Sequence, residues 1–172
     1  MLSSDLLLDA FDRVRGVVHS VLIGAGPGML EHRPDPEANT LAWLVWHLAR
    51  IQDAQIAPLI GEGEEEVWTA DGWYERFALP FHRRATGYGH AADEVAAVRA
   101  SAELLRGYFD AVHARTIAYL PTLAEEDYAR IVDEAWEPPV TLAVRLVSIV
   151  ADDLEHAGQA AYVRGIALRA VR

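Results

Sequence analysis

Asp152 and His156 stand four residues apart, where the apolar run Leu146-Val147-Ser148-Ile149-Val150-Ala151 turns acidic as Asp152-Asp153-Leu154-Glu155-His156. On a helix that spacing is about one turn. The carboxylate and the imidazole then project from nearly the same face, about 6 Å apart, and can hold one divalent cation between them. A further histidine, His47, lies in the apolar stretch Trp43-Leu44-Val45-Trp46-His47-Leu48-Ala49-Arg50-Ile51 and can close a three-ligand set from a facing helix. Two imidazoles and one carboxylate leave coordination positions open, as a catalytic metal needs, whereas structural zinc is usually closed by four protein ligands. Such donors suit zinc first, and nickel, iron and manganese as well.

The same residues admit plainer roles. Asp152 and His156 can be an intrahelical pair worth a few tenths of a kcal/mol, and His47 can be a hydrogen-bonded core residue. Spacing also leaves the acid open. The stripe Leu142, Leu146, Ile149, Asp153, His156, Ala160, Val163 puts Asp153 in the seam, so periodicity favours Asp153 while the one-turn pair uses Asp152. Ligating imidazoles need an acceptor for the other ring nitrogen, for which Asp53, Glu155 and Asp153 are candidates. Gln159, three residues after His156, can orient it or a bound water. Gly158 reads as a point where a neighbouring helix or ligand approaches closely.

Composition narrows the function classes. With 172 residues the chain suits a single domain, 1–172, large enough for a core without disulfides. It has no cysteine, which removes disulfides, thiolate ligands and a thiol nucleophile of its own. The net charge of −11 argues against a nucleic-acid partner, because phosphate backbones are bound by clustered Lys and Arg. No signal-peptide pattern and no apolar run of about 18 residues is present, so the expectation is a cytoplasmic protein without a membrane partner.

The elements that must position the candidate ligands follow from apolar periodicity. Leu7, Phe11, Val14, Val18 and Val21 form one stripe, predicting a helix over 4–22 that stops at Gly24-Ala25-Gly26-Pro27-Gly28. A second helix, capped by Asn39 or Thr40, runs to about Ile60 with Leu44, Leu48, Ile51 and Gln55 on one side and His47 pointing inward with them. The segment 67–92 is irregular and aromatic, a crossover over one end of the molecule. Val95, Val98, Ala102, Leu105, Phe109, Val112 and Thr116 predict a third helix over 93–120, and the fourth runs over 141–170. No strand alternation of any length is present. The expected fold is all-α, an antiparallel-type four-helix bundle with one long crossover connection.

Two stretches carry a resemblance that covers nearly the whole chain. Thr40-Leu41-Ala42-Trp43-Leu44-Val45-Trp46-His47-Leu48-Ala49-Arg50 and Asp152-Asp153-Leu154-Glu155-His156-Ala157-Gly158-Gln159, followed by Tyr162-Val163-Arg164-Gly165, resemble the DinB-like superfamily. Within it they are most similar to the branch of mycothiol-dependent transferases and maleylpyruvate isomerase. Tyr88-Gly89-His90 with Glu94-Val95 resembles the segment before the third helix in that branch. The resemblance implies a metal held by His47, Asp152 and His156. Many members have a histidine where this chain has Asp152, and the isomerase has a glutamate there.

Three functions compete. The first, implied by the resemblance, is a thiol transferase: a divalent metal activates a mycothiol-type thiol cosubstrate toward a small electrophilic substrate near Trp43, Trp46 and Tyr162. Gln159 stands beside that site, and Arg83, Arg84 and His90 are candidates for recognising a carboxylate on thiol or substrate. The second keeps the metal but activates water for hydrolysis. The third is a binding or dimerisation bundle with a vestigial metal site. A homodimer is implied by the resemblance alone.

Overall fold

The computed structural model describes residues 2–170, so the outermost positions of the domain expected over 1–172 lie outside the described residues. Helix α1 (Ser3–Leu22) is followed by the short α2 (Pro27–Leu30) and by α3 (Leu41–Ile60). The crossover carries α4 (Val67–Ala70), α5 (Trp73–Phe77) and α6 (Ala92–Ala97) and leads into α7 (Ala102–Tyr119). Two 3-10 turns and a small antiparallel hairpin, β1 (Ile131–Asp133) and β2 (Val140–Thr141), precede α8 (Leu142–Ala170).

The bundle is α1, α3, α7 and α8, with α1 and α3 each packed on both α7 and α8 and therefore on opposite corners. Side-chain bonds fix the directions. Gln55 accepts from Arg145 while the ring of His47 meets that of His156, so α3 and α8 are antiparallel. Arg50 meets Tyr108 and the Leu59 carbonyl accepts from the Tyr119 hydroxyl, so α3 and α7 run parallel. Parallel neighbours cannot be joined by a tight turn, which is why a long crossover returns the chain between them.

The helices start where the sequence offers caps. Thr40 Oγ1 accepts from Trp43 N at 3.1 Å, an interaction that satisfies one of the free donors of the first turn. The one-sided stripe expected on α3 is corrected: every residue from Leu41 to Arg50 is buried, because the crossover covers the face that a plain bundle would leave to solvent. The helix expected over 93–120 is broken. Ser101 Oγ accepts from Leu104 N at 3.2 Å and opens α7, while Val98 is extended at ψ 91°. A serine side chain competes here with the continuing backbone ladder, yet Val95 and Val98 still reach the core. The hairpin was not expected; with three and two residues its strands are too short to show alternation.

One buried polar network ties the crossover to α3. The Arg50 guanidinium, fully buried, donates to the Ala85 carbonyl (3.1 Å), the Tyr108 hydroxyl (3.1 Å) and Glu66 Oε2 (2.7 Å), and lies over the Trp68 ring. Asp53 accepts from Val67 N, Trp68 N and the Tyr108 hydroxyl, at 2.9, 2.8 and 2.9 Å. A buried charge is tolerable only when paired in this way. Among the described residues no helix is long and apolar enough to cross a membrane.

Asp153 breaks that rule. It lies on α8 between Ile149 of one hydrophobic cluster and Ala157 of the other, with 0% exposure, and neither oxygen has a hydrogen-bond partner among the described residues. Burial, and then the neighbouring Asp152 carboxylate, push its carboxyl well above the usual carboxylate range. Its protonated form is therefore the folded form, and the sign of the pH effect follows. Below the unfolded value of 3.8 both states hold the proton. As pH rises above that value the unfolded chain releases its proton and the folded chain does not, so this stability contribution is lost with rising pH. In metal-free protein, Asp153→Asn removes the effect. The unfolding free energy of the variant minus that of the parent should rise with pH above about 4, by up to about 1.4 kcal/mol per unit, until the buried carboxyl itself ionises. Urea titrations between pH 4 and 8 check this; a difference that stays flat over the range contradicts it.

Candidate metal centre

The antiparallel packing of α3 on α8 brings His47, Asp152 and His156 together, with one potential ligand atom from each lying within 4.8 Å of the others. His47 is buried, whereas Asp152 and His156 are partly open, with side-chain exposures of 33% and 17%. His156 Nε2 is 3.7 Å from Asp152 Oδ1, and the rings of His47 and His156 meet edge-on at 4.7 Å. Asp152, not Asp153, belongs to the cluster; the seam position that periodicity favoured turns its acid into the core instead.

Each imidazole has its other nitrogen tied. His47 Nδ1 lies 2.6 Å from the Thr86 carbonyl, which can only accept, so Nδ1 carries the proton and Nε2 keeps its lone pair. His156 Nδ1 lies 3.0 Å from Gln159 Oε1, which holds that ring in the same tautomer. Gln159 orients His156 as its spacing suggested, whereas the carboxylates expected as acceptors do not serve either ring. The structure supplies a backbone carbonyl and an amide, while Asp53 caps the crossover, Asp153 is in the core and Glu155 is exposed. Burial lowers the His47 pKa, although the Thr86 carbonyl opposes the shift, so the ring is neutral and ready to ligate near neutral pH.

The donor set fits a divalent cation. Asp152 Oδ2 is buried without a hydrogen-bond partner among the described residues, an arrangement that is costly unless something positive satisfies it. His47 and His156 would supply Nε2 and Asp152 an oxygen, the pattern of an open two-His, one-carboxylate site.

An aromatic wall stands beside the triad. Trp43 stacks on His47 at 4.4 Å and meets His156 edge-on at 6.1 Å. Its indole N–H donates to His90 Nδ1 at 3.2 Å, and the His90 ring lies against Trp46 and Phe81. Tyr162 is 69% exposed on α8. Arg83 and Arg84 are exposed and line a different cleft, of about 420 Å³, with Glu64, Glu65, Glu66, Thr69, Tyr74 and Glu75. A Cβ on Gly158 would meet nothing within 4 Å, so among the described residues no neighbouring helix makes the close approach expected there.

The close approach is at Gly87 instead. At φ +95° its backbone passes so near the site that a Cβ would lie 2.8 Å from His47 Nδ1, 3.0 Å from Trp46 and 3.1 Å from Trp43. Thr86 and Gly87 were not singled out in the sequence, since a carbonyl and a glycine carry no motif of their own; the neighbouring Tyr88-Gly89-His90 was the only signal. Gly87→Ala adds backbone strain of about 1–3 kcal/mol and displaces the Thr86 carbonyl. It should lower stability by that amount and weaken metal binding about tenfold or more. Thermal unfolding and metal titration of the same sample check both, and unchanged metal affinity counts against the contact.

Comparison with known proteins agrees with this architecture. No curated protein matches the chain. The crystal structure of a conserved protein from Enterococcus faecalis is similar to it, with a TM-score of 0.90 and 33% identity over 98% of each chain. The family model for the DinB superfamily matches residues 10–160, which contain all three residues of the triad. The chain belongs to the DinB superfamily.

Proposed function

We propose that the protein is a divalent-metal-dependent enzyme that joins a low-molecular-weight thiol, of the mycothiol type, to a small electrophile. The observation that carries this reading is the pair of imidazoles whose Nδ1 atoms are already tied, by Thr86 and Gln159, with Asp152 completing the set. A cation held there would favour the thiolate form of a bound thiol. The chain contains no cysteine, so a thiol nucleophile must come from solution. That fits a cosubstrate, and the resemblance to the mycothiol-dependent branch points the same way.

The chain's own residues supply binding and orientation. Trp43 packs against both imidazoles of the triad and Phe81 packs against His90, which gives the site an aromatic wall. Trp46, expected beside the substrate, is instead 1% exposed and packed on Phe81 and His90, with no surface to offer. His90 accepts the Trp43 indole N–H on Nδ1, so in its neutral form it carries its proton on Nε2 and can donate to an acceptor on thiol or substrate. Gln159 lies one turn beyond His156 on the same helix and is bonded to its ring, whereas Tyr162, six residues beyond His156, is turned to another side of the helix and is exposed. Arg83 and Arg84 have no part in this arrangement.

Protein purified without an affinity tag should retain about one equivalent of divalent metal, with zinc expected first. His47→Ala, Asp152→Ala and His156→Ala should each lose it. Loss of thiol should then be followed against a panel of electrophiles, with chelator abolishing turnover and added metal restoring it. A parent that holds no metal and cannot be loaded refutes the reading. A loaded parent that hydrolyses esters or amides without consuming thiol assigns the site to water activation.

A further inference from the structure

We infer that Arg50 is a positioning residue for the metal centre, acting through the Ala85–Thr86 peptide to hold the acceptor that orients His47. This rests on the reading of His47, Asp152 and His156 as metal ligands. His47 and Arg50 are three residues apart on α3 and so share a face, from which they reach two consecutive carbonyls of the crossover. His47 Nδ1 donates to the Thr86 carbonyl at 2.6 Å and Arg50 Nε to the Ala85 carbonyl at 3.1 Å.

The loop needs such an anchor. Immediately after Thr86 come Gly87 and Gly89, both with positive φ and neither stiffening the chain. Before it, Ala85 N donates to the His82 carbonyl, which ties the turn to itself but not to α3. Arg50 makes the tie to α3. Its planar fork is fully buried and held at the far side by Glu66 at 2.7 Å and the Tyr108 hydroxyl at 3.1 Å, so Nε has one direction in which to donate. With the Ala85 carbonyl fixed, the next carbonyl is presented to His47, and the imidazole is turned so that Nε2 faces Asp152 and His156. A lysine keeps the charge for Glu66 but has no Nε–H in that direction.

Cobalt(II) titration of metal-stripped protein, followed by the visible absorption of the bound ion, tests this against a purely structural role. The control is Thr116→Val, which removes the buried bond from Gln52 at 2.7 Å elsewhere on α3. Arg50→Lys should bind cobalt about tenfold more weakly than the parent, whereas Thr116→Val, with unfolding measured in parallel, should stay within about twofold. Equal affinity of Arg50→Lys and parent overturns the role of Arg50. So does a loss of affinity that tracks lost stability equally in both variants. If Arg50→Lys does not fold, Glu66→Ala decides: affinity several-fold weaker supports the inference and unchanged affinity overturns it. A parent that binds no cobalt instead removes the metal reading of the triad itself.

Discussion

A buried imidazole can offer a lone pair to a cation only if its other nitrogen is protonated and satisfied, and at His47 that condition is met by a single backbone carbonyl. Thr86 accepts from Nδ1 at 2.6 Å, and the ring is then pinned between this bond and the Trp43 indole stacked on it at 4.4 Å. The crossover that supplies Thr86 is long because α3 and α7 are parallel neighbours. The connection demanded by topology thus also furnishes the acceptor. The same segment buries the outer face of α3, which explains why ten successive residues, Leu41 to Arg50, are buried on a helix that a simple bundle would leave half exposed.

Where polar groups enter this interior, their pairing separates scaffold from site. Arg50, Asp53, Tyr108 and Glu66 satisfy one another and hold the start and middle of the crossover, as buried charges must. The acids of α8 are different. Among the described residues, one buried oxygen of Asp152 and both oxygens of Asp153 have no hydrogen-bond partner. Adjacent on a helix, they point in different directions: Asp152 toward His156 at the edge of the bundle, Asp153 into the apolar core. A cation beside Asp152 would answer the first deficit. Protonation answers the second, at a standing cost to stability at neutral pH.

The candidate triad was legible because helical spacing places Asp152 and His156 on one face and the apolar surroundings of His47 turn it inward. Resemblance supported Asp152, although the hydrophobic stripe through Leu146, Ile149 and Ala160 pointed to Asp153. The stripe identified the buried position correctly, but being in the seam is what keeps Asp153 from the histidines, and Asp152 is the acid that meets them. The acceptors of the second ring nitrogens were less visible. Gln159 could be named from its spacing, whereas Thr86 lies 39 residues from His47 and acts through its backbone, which no residue type announces.

Four long helices, their apolar faces, the crossover and the two candidate histidines follow from local periodicity and short-range spacing, which the chain carries in every turn, while the choice of Asp152 came from the family resemblance. The pairing of β1 with β2 and the burial of Leu41 to Arg50 on all sides of α3 do not, because each depends on what lies opposite in space. Arg83 and Arg84 make the same point: their charge suggested recognition of a carboxylate at the site, but they line another cleft together with glutamates. Helix spacing is set within a few residues. Which carbonyl an imidazole meets is set only when the distant segment is folded against it.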